Sequence, residues 1–473
     1  MLPRPALWAC TIVCIASIGC GDNTPPPDST AQIDSARAVV NPNMEISALV
    51  LFQGAGDSMR VRYRTSPQDQ DSLTPAFPIT TAQEDTIPVL GLMPGTAYEL
   101  RLVVYGGGSS SLDSLISDPL TFRTGQLPTD LPTYRASGIA PLDGYLVFSA
   151  TPFGIIIDGT GRVVWYKRFP GTGPSLNFMA QPTGVLVGRL NTEDTTDDDP
   201  FVELDPAGFE RHQLRCANNR PLRFHDLLLL GDGSYWIMCD ETRPMDLSAV
   251  GGDANAEVTG TTIQHVDPAG MLLFEWSPFD HFLITDADPT VYQGIVGAVN
   301  WTHGNSFDFD SDGNILIAFR SLNEITKINS QSGAVMWRMG GLRNQFTFQG
   351  APDAGFSRQH NVRVVGTGQF IVLDNLGLGI NESRYERYSV DAQALTATLE
   401  QSYGSTPPVT TPIGGSVEAV GSDQYLVSFG TQGRVELFDA SGLKLWSIEG
   451  NPGYVFRAQR IHSLYAPVPV LTR

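Results

Sequence analysis

Short apolar runs separated by glycine-rich turns recur from about residue 135 to the end of the chain. One recurring unit is a turn followed by a strand-like apolar run, and the other ends a strand in Asp or Asn and turns into an apolar run that often contains Trp. The first unit begins at Asp143, Thr183, Asp232, Asp312, Thr367 and Ser422, and the second at Asp158, Asp205, Asp267, Asn329, Asp391 and Asp439. Two hairpins make one four-stranded blade, so six copies of each unit predict an all-β, six-bladed β-propeller over residues 127–473.

A separate unit precedes these repeats, at residues 42–126. Residues 58–64 alternate between apolar and polar, as expected of a half-buried strand, and a Pro-Gly-Thr turn at residues 94–96 leads into a second apolar run. This turn, Tyr98 and the closing run at 120–124 resemble a fibronectin type III domain. The resemblance implies a small β-sandwich that acts as a spacer.

The first 20 residues are typical of an export signal, with Arg4 before an apolar run from Ala6 to Ile18. A small residue followed by Cys20 resembles a bacterial lipoprotein cleavage site, which predicts a lipid on Cys20; plain secretion is the alternative. Residues 21–41 are polar and proline-rich and predict a flexible linker. The expected location is periplasmic or at the cell surface, with the membrane contacted only through the lipid anchor.

Composition narrows the classes of partner and the chemistry of the cysteines. The 473 residues carry a net charge of −20, which argues against nucleic acid as a partner. After signal cleavage, Cys216 and Cys239 are the cysteines without an assigned lipid. An oxidising compartment permits a disulfide between them, but two separate buried thiols fit the sequence equally well.

Three of the seven histidines occupy equivalent places in successive repeats. His225 stands eight residues before Gly233, His303 ten before Gly313, and His360 eight before Gly368. In a propeller these positions lie at or just before the strand that lines the central channel, so the three imidazoles should converge at one mouth of the channel. Each histidine alone could be a structural brace, but the shared placement favours a site.

Asn305 and Arg320 are expected beside these histidines, because Asn305 lies two residues beyond His303 and Arg320 ends the next strand of that blade. Amide and guanidinium groups donate hydrogen bonds to a tetrahedral oxyanion, and imidazole serves as a nucleophile or general acid/base near neutral pH. Three histidines could also hold zinc, but the neighbouring Arg opposes a cation. We therefore expect no metal and no other cofactor.

The densest sequence motifs resemble the bacterial arylsulfate sulfotransferase family and its arylsulfotransferase-like relatives. They are Asn-Trp-Thr-His-Gly-Asn-Ser at 300–306, Trp-Arg-Met-Gly-Gly at 337–341, Phe-Ser-Arg-Gln-His-Asn at 356–361 and Leu-Asp-Asn at 373–375. The resemblance implies that His360 becomes transiently sulfated and that His225 handles the phenol proton. It also implies that His303, Asn305 and Arg320 bind the sulfuryl oxygens. Asn300 stands where the family commonly has Asp.

The implied function is ping-pong transfer of a sulfuryl group from a phenolic sulfate ester to an acceptor phenol, through a sulfohistidine and without a nucleotide donor. Two alternatives stay open: a non-catalytic surface propeller that binds an anionic or phenolic ligand, and a metal- or quinone-dependent propeller oxidoreductase. The natural donor and acceptor are not specified by the sequence, nor is the oligomeric state, for which a homodimer is one option.

Overall fold

The computed structural model describes residues 31–80, 84–106, 114–171, 173, 175–191, 199–351, 355–377, 381–450 and 454–465. The predicted export signal, Cys20 and most of the predicted linker lie outside these residues. Strands account for nearly all regular structure there, joined by six 3-10 turns at Ser248–Val250, Pro278–Asp280, Ile284–Asp286, Pro289–Val291, Arg320–Leu322 and Gly430–Gln432. None of the helical segments in the described ranges is long and apolar enough to cross a membrane.

The N-terminal unit is a sandwich of two antiparallel sheets. One sheet has the order β1-β2-β6, and the other has β4-β3-β7-β8 with β5 beside β3 and β9 beside β7. The strands are β1 (Gln32–Val40), β2 (Ala48–Ala55), β3 (Ser58–Arg64), β4 (Ser72–Leu73), β5 (Phe77–Pro78), β6 (Asp85–Val89), β7 (Ala97–Tyr105), β8 (Ser114–Ile116) and β9 (Leu120–Arg123). The sandwich agrees with the predicted spacer, and its assignment to the fibronectin type III class stays a prediction.

The boundary of the predicted linker is wrong at its C-terminal end. Residues 32–40 were expected to be flexible, but they form β1, which pairs with β2 along its whole length. Partly buried Ile33, Ala36 and Ala38 pack against the sandwich core, and this burial stabilises the edge strand. The polar composition of the segment does not indicate a strand.

Six further sheets form the six blades of the propeller. Their strands are β10 (Tyr134–Gly138), β11 (Tyr145–Ala150), β12 (Phe153–Asp158), β13 (Val163–Arg168), β14 (Ser175–Ala180), β15 (Leu186–Asn191), β16 (Phe201–Leu204), β17 (Glu210–Leu214), β18 (Leu222–Leu229), β19 (Tyr235–Met245), β20 (Ala256–Val266), β21 (Leu272–Trp276), β22 (Ala298–Asn300), β23 (Gly304–Phe309), β24 (Ile315–Phe319), β25 (Glu324–Ile328), β26 (Val335–Gly340), β27 (Thr347–Gln349), β28 (His360–Gly366), β29 (Gln369–Asp374), β30 (Arg384–Asp391), β31 (Thr396–Gly404), β32 (Ser416–Val420), β33 (Gln424–Ser428), β34 (Val435–Asp439), β35 (Lys444–Gly450) and β36 (Ala458–Ile461).

Strands from both ends of the repeat region close the ring of blades. Blade 1 has the order β36-β11-β12-β13, so the C-terminal strand supplies its innermost position. Blades 2, 3, 4, 5 and 6 begin at the axis with β14, β18, β23, β28 and β32, and β10 adds an outer strand to blade 6. Segments from both ends of the repeat region therefore hold blades 1 and 6, which leaves few open strand edges.

The predicted turns fit the observed backbone. Gly233 and Gly313 have φ values of 84° and 75°, a region that side chains with a Cβ rarely adopt. Oxygens of Asp232 and Asp312 accept hydrogen bonds from the backbone N–H two residues on, which fixes each turn.

The tryptophans of the second repeat unit pack between blades. Trp165, Trp276 and Trp446 are buried, and each indole N–H donates to a backbone carbonyl of the next blade, at Pro206, Gly333 and Gly159 respectively. Trp337 is buried in the cluster that joins blades 4 and 5. The first three indoles thus pair their N–H groups while their rings fill the space between sheets.

The sandwich is fixed to blade 1. Met44, Ile46 and Leu90 share a core cluster with Trp165. Tyr166 accepts a hydrogen bond from the backbone of Glu45 at 3.1 Å, and residues 124–133 connect the two units without a strand.

Cys216 and Cys239 are joined by a disulfide in the structure. It links the loop before β18 to the middle of β19, and β18 carries His225. Since 23 residues separate the cysteines, the cross-link restricts the unfolded chain around this hairpin.

We predict that replacing both cysteines with alanine lowers the free energy of unfolding by about 3 kcal/mol. Urea unfolding of the wild type and of C216A/C239A measures this difference. A reductant should destabilise the wild type and leave the double variant unchanged; equal sensitivity of the two proteins would contradict the role given to the disulfide.

Candidate active site

The three predicted histidines come together at one mouth of the channel. His225 lies near the start of β18, His303 immediately precedes β23, and His360 begins β28, which places them on three adjacent inner strands. The ring centroids of His225 and His303 are 5.0 Å apart, and His225 and His360 are both buried. Antiparallel pairing brings the ends of β24 and β29, and with them Arg320 and Asn375, to the same mouth.

His360 presents an unprotonated Nε2. Its Nδ1 faces two oxygens, Oδ1 of Asn375 at 2.7 Å and the carbonyl of Arg358 at 3.0 Å, so Nδ1 carries the ring hydrogen. The backbone N–H of Gly414 donates to Nε2 at 3.3 Å. Burial and then the charge of Arg320 lower the pKa of His360 to about 3, so the ring is neutral at physiological pH.

The orientation of the Asn375 amide is fixed by its own partners. Its Nδ2 donates to the carbonyls of Thr411 and Gly414, both at 2.8 Å, and this leaves Oδ1 toward His360. Asn375 is fully buried. Sequence analysis found the Leu-Asp-Asn motif but assigned Asn375 no role, because its partners lie 15 to 39 residues away.

His225 has the opposite tautomer. Nε of Arg223 donates to its Nδ1 at 3.2 Å, and a guanidinium has no acceptor atom, so the hydrogen of this ring lies on Nε2. Burial and the charge of Arg223 hold the pKa of His225 well below its usual value. Arg223 in turn makes two hydrogen bonds to Asp240, at 3.1 and 3.0 Å.

His303 also presents its Nε2–H. The amide Nδ2 of Asn300 donates to its Nδ1 at 2.8 Å. Burial lowers the pKa of His303 well below its usual value, with further contributions from Arg223 and Arg320. His303 has a φ of 48°, so it stands outside the strand alternation and does not project in parallel with Asn305.

Arg320 lies in the turn after β24 and has unused donors. Its Nη2 donates to the carbonyl of Pro412 at 3.2 Å, while its buried Nε has no hydrogen-bond partner among the described residues. Burial and the neighbouring Arg358 lower the pKa of Arg320 to about 10, so it stays cationic at neutral pH. The Arg358 guanidinium acts electrostatically on both His303 and Arg320, and it also interacts with Asp288; it is a second cation near the site that the sequence motifs did not indicate.

Asn305 is engaged with its neighbours. It is buried, and its Nδ2 donates to the carbonyl of Gln359 at 2.6 Å while its Oδ1 accepts from Ser306 at 3.0 Å. The amide therefore fixes the residue that precedes His360. One N–H of Nδ2 is left for a ligand.

A buried ionic cluster connects the inner strands that carry the histidines. Asp226 accepts hydrogen bonds from Arg457 at 2.6 Å and from Arg363 at 3.0 Å, and thereby links blade 3 to blades 1 and 5. Arg457 also donates to the carbonyl of Asn305 at 2.9 Å. Burial raises the pKa of Asp226, but the two arginines outweigh it and hold the pKa below its usual value.

In the described part of the chain, no three or more His, Cys, Asp and Glu side chains form a group that could hold a metal ion. The exposed charge near the histidines is carried by guanidinium groups. Neutral imidazoles, N–H donors and free cations suit an anion with several oxygens.

The chain matches the family model described as arylsulfotransferase (ASST) over residues 198–451, which is more than half of its 473 residues. The chain therefore belongs to the arylsulfotransferase family. The match contains the three histidines, Asn305 and Arg320. No curated protein is significantly similar to the chain in sequence.

Solved structures with similar folds are distant. A protein of unknown function from Bacteroides caccae has a TM-score of 0.43 and 11% identity, covering 68% of this chain and 100% of that one. A catalytically inactive virginiamycin B lyase from Staphylococcus aureus has a TM-score of 0.35 and 8% identity, over 68% and 89%. The Cps50 (Swd1) β-propeller domain of Myceliophteria thermophila has a TM-score of 0.36 and 9% identity, over 70% and 89%. None of these similarities bears on function.

We predict that Asp226→Asn lowers the free energy of unfolding by about 3–5 kcal/mol, because it leaves the buried Arg457 without its carboxylate partner and removes one of the carboxylates that pair with Arg363. Chemical denaturation measures the loss. The matched control is Asp130→Asn, whose partner Arg168 is about half exposed, and it should leave the free energy of unfolding nearly unchanged because solvent screens this surface pair. Equal losses in the two variants would contradict the importance of the cluster.

Proposed function

We propose that the protein is a nucleotide-independent aryl sulfotransferase that moves a sulfuryl group from a phenolic sulfate ester to an acceptor phenol through a sulfohistidine at His360. One observation supports this most strongly: the three histidines are held in complementary tautomers. His360 offers a lone pair at Nε2, while His225 and His303 offer N–H donors. A nucleophile flanked by donors is the arrangement that transfer to nitrogen requires.

In the first half-reaction, Nε2 of His360 attacks sulfur and the bond from sulfur to the phenolic oxygen breaks. The buried, neutral ring needs no prior deprotonation. The sulfuryl oxygens would be bound by Arg320 and Arg358, by Nε2–H of His303, and by the backbone N–H of Gly414, which already points at the reacting nitrogen. Donors placed where charge is carried stabilise such a transition state.

Gly414 is required at this place. Its φ is 66°, and a Cβ there would lie 2.2 Å from the Tyr454 hydroxyl oxygen. A side chain at residue 414 would therefore displace either Tyr454 or the N–H that faces His360.

His225 is assigned to the phenolic oxygen. With Arg223 on Nδ1, its Nε2–H donates a hydrogen bond to the departing phenolate. To take the proton of an acceptor phenol, Nε2 of His225 must not carry hydrogen. The ring hydrogen must therefore lie on Nδ1, which requires Arg223 to give up its hydrogen bond to that atom. Proton transfer at His225 is thus coupled to movement of Arg223.

Asn305 contributes to the same step by holding the segment before His360, and its second N–H can reach a sulfuryl oxygen. We also propose export and lipid attachment at Cys20, with a short tether that ends before β1. These cellular assignments rest on the N-terminal sequence.

We predict that His360→Gln lowers transfer of sulfate from p-nitrophenyl sulfate to phenol by at least about 10³-fold, because the nucleophile is lost. Release of nitrophenol, followed by absorbance with no added metal or nucleotide, measures the rate.

The matched control is His212→Gln, an exposed histidine that contacts Glu203 and should leave the rate unchanged. Circular dichroism verifies that both variants fold. Turnover retained by His360→Gln would refute the nucleophile, and an inactive wild type would favour a propeller that only binds an anionic or phenolic ligand.

We predict that the first half-reaction is insensitive to acid over the range in which ordinary histidines titrate. Since the pKa of His360 is about 3, the ring stays neutral at pH 5, whereas a histidine with a pKa of 6.5 would lose about 30-fold in rate there. The nitrophenol burst measured by stopped flow between pH 8 and pH 5 checks this. A tenfold fall for each pH unit below 6.5 would contradict the low pKa.

A further inference from the structure

The hydrogen on Nδ1 of His360 faces no base. Both of its partners, Oδ1 of Asn375 and the carbonyl of Arg358, are neutral amide oxygens. The charges that act on His360 come from Arg320 and Arg457 and are positive, and the nearby His225 and His303 are neutral.

The adjacent carboxyl group, that of Asp374, is turned away from the ring. Its Oδ1 accepts hydrogen bonds from the backbone N–H groups of Ser357, Leu376 and Gly377, at 2.9, 3.3 and 3.1 Å. It shapes the loop after β29 and has no contact with His360 among the described residues.

This environment determines the chemistry of a sulfated ring. Sulfation at Nε2 makes the imidazole cationic and its Nδ1–H more acidic. A carboxylate at Nδ1 would take that proton and leave a neutral N-sulfoimidazole, from which the next acceptor would have to displace an imidazolate. If the proton stays, the acceptor displaces a neutral imidazole, which is a far better leaving group.

We propose that Asn375 is a positioning residue that keeps Nδ1 protonated after sulfation, so that the intermediate is a sulfoimidazolium poised to transfer its sulfuryl group. This inference rests on the proposed function. In the first step the Nε2 lone pair forms the bond to sulfur, and the electron pair of the broken bond leaves with the donor oxygen. In the second, the acceptor oxygen, as phenolate, bonds to sulfur and the electron pair of the bond from Nε2 to sulfur returns to Nε2, with Nδ1–H retained throughout.

The amide cannot turn to present its nitrogen instead. Both hydrogens of Nδ2 are directed at the carbonyls of Thr411 and Gly414, and Asn375 and Thr411 are fully buried. Reversal would place Oδ1 against two carbonyl oxygens and leave buried groups without partners. The same contacts hold the Gly414 N–H beside Nε2, so one side chain aligns both nitrogens of the ring.

The test uses the full-length protein, sulfated with p-nitrophenyl sulfate in the absence of an acceptor, and labelled with ¹⁵N-histidine. We expect the wild-type adduct on His360 to keep the one-bond coupling between Nδ1 and its proton at neutral pH. An adduct on His360 whose Nδ1 has lost its proton would overturn this inference and leave the proposed function standing. Absence of any adduct on His360 would overturn the proposed function itself.

A variant separates positioning from structure. Asn375→Asp removes the Nδ2 donors that hold Gly414, which slows both half-reactions, and it also supplies a carboxylate that can take the Nδ1 proton after sulfation. We therefore expect discharge of the sulfated enzyme to phenol to slow by at least about 10-fold more than the nitrophenol burst, so that the adduct accumulates. Asn329→Asp makes the same chemical change in a surface turn, where Asn329 accepts from Gln331 and Ser332, and should alter neither step.

Equal slowing of both half-reactions in Asn375→Asp, or slowing of neither, would overturn the positioning role. If this variant does not fold, the coupling measured in the wild type decides the question alone.

Discussion

The carboxylate of Asp226 holds two arginines from other blades at the propeller axis, and the candidate site is built on this contact. Arg457 approaches from the segment that closes the ring, and Arg363 from the strand that begins with His360. Asp226 itself follows His225 in the chain. Because the Arg457 guanidinium also binds the backbone of Asn305, one buried ionic cluster fixes the inner strands that carry all three histidines. Removing the Asp226 carboxylate would leave the buried Arg457 without a carboxylate partner, so the geometry of the site and the stability of the ring are linked.

The protein as a whole is negatively charged, but the charge beside the histidines at the mouth of the channel is positive. The chain has a net charge of −20, yet the charged groups that act on His303 and His360 include Arg320 and are positive. Burial keeps the imidazoles neutral, and the neighbouring guanidinium groups reinforce this by opposing a further positive charge. In the proposed function, a sulfate ester would accept hydrogen bonds from these donors, and the neutral His360 would keep the lone pair that attack on sulfur requires.

Much of the architecture follows from local sequence. Turns such as Asp232-Gly233 need glycine and a carboxylate at fixed positions, and the tryptophans fill the gaps between blades. Because these features recur in each repeat, counting the repeats predicts six blades. His225, His303 and His360 occupy equivalent positions in successive repeats, and this placement predicts that they converge at one mouth of the channel. The strand at 32–40 was missed because its few apolar residues pack on one face of an otherwise polar segment.

The tautomers of the histidines and the long-range contacts of the site could not be predicted from local sequence. Which nitrogen of each histidine carries hydrogen depends on Arg223, Asn300 and Asn375, and the orientation of Asn375 depends in turn on carbonyls 36 and 39 residues further along the chain. Asp226 meets Arg457 across 231 residues. Such contacts exist only after the ring has closed, and no local pattern encodes them.

The central claim is that His360 carries the sulfuryl group, and peptide mass spectrometry tests it most directly. The protein would be incubated briefly with p-nitrophenyl sulfate, quenched at alkaline pH to protect an acid-labile bond between nitrogen and sulfur, and digested. We predict a sulfate-sized mass increase on the peptide that contains His360 and on no other. A mass increase on the peptide of His225 or of His303, or complete nitrophenol release with no adduct at all, would contradict it.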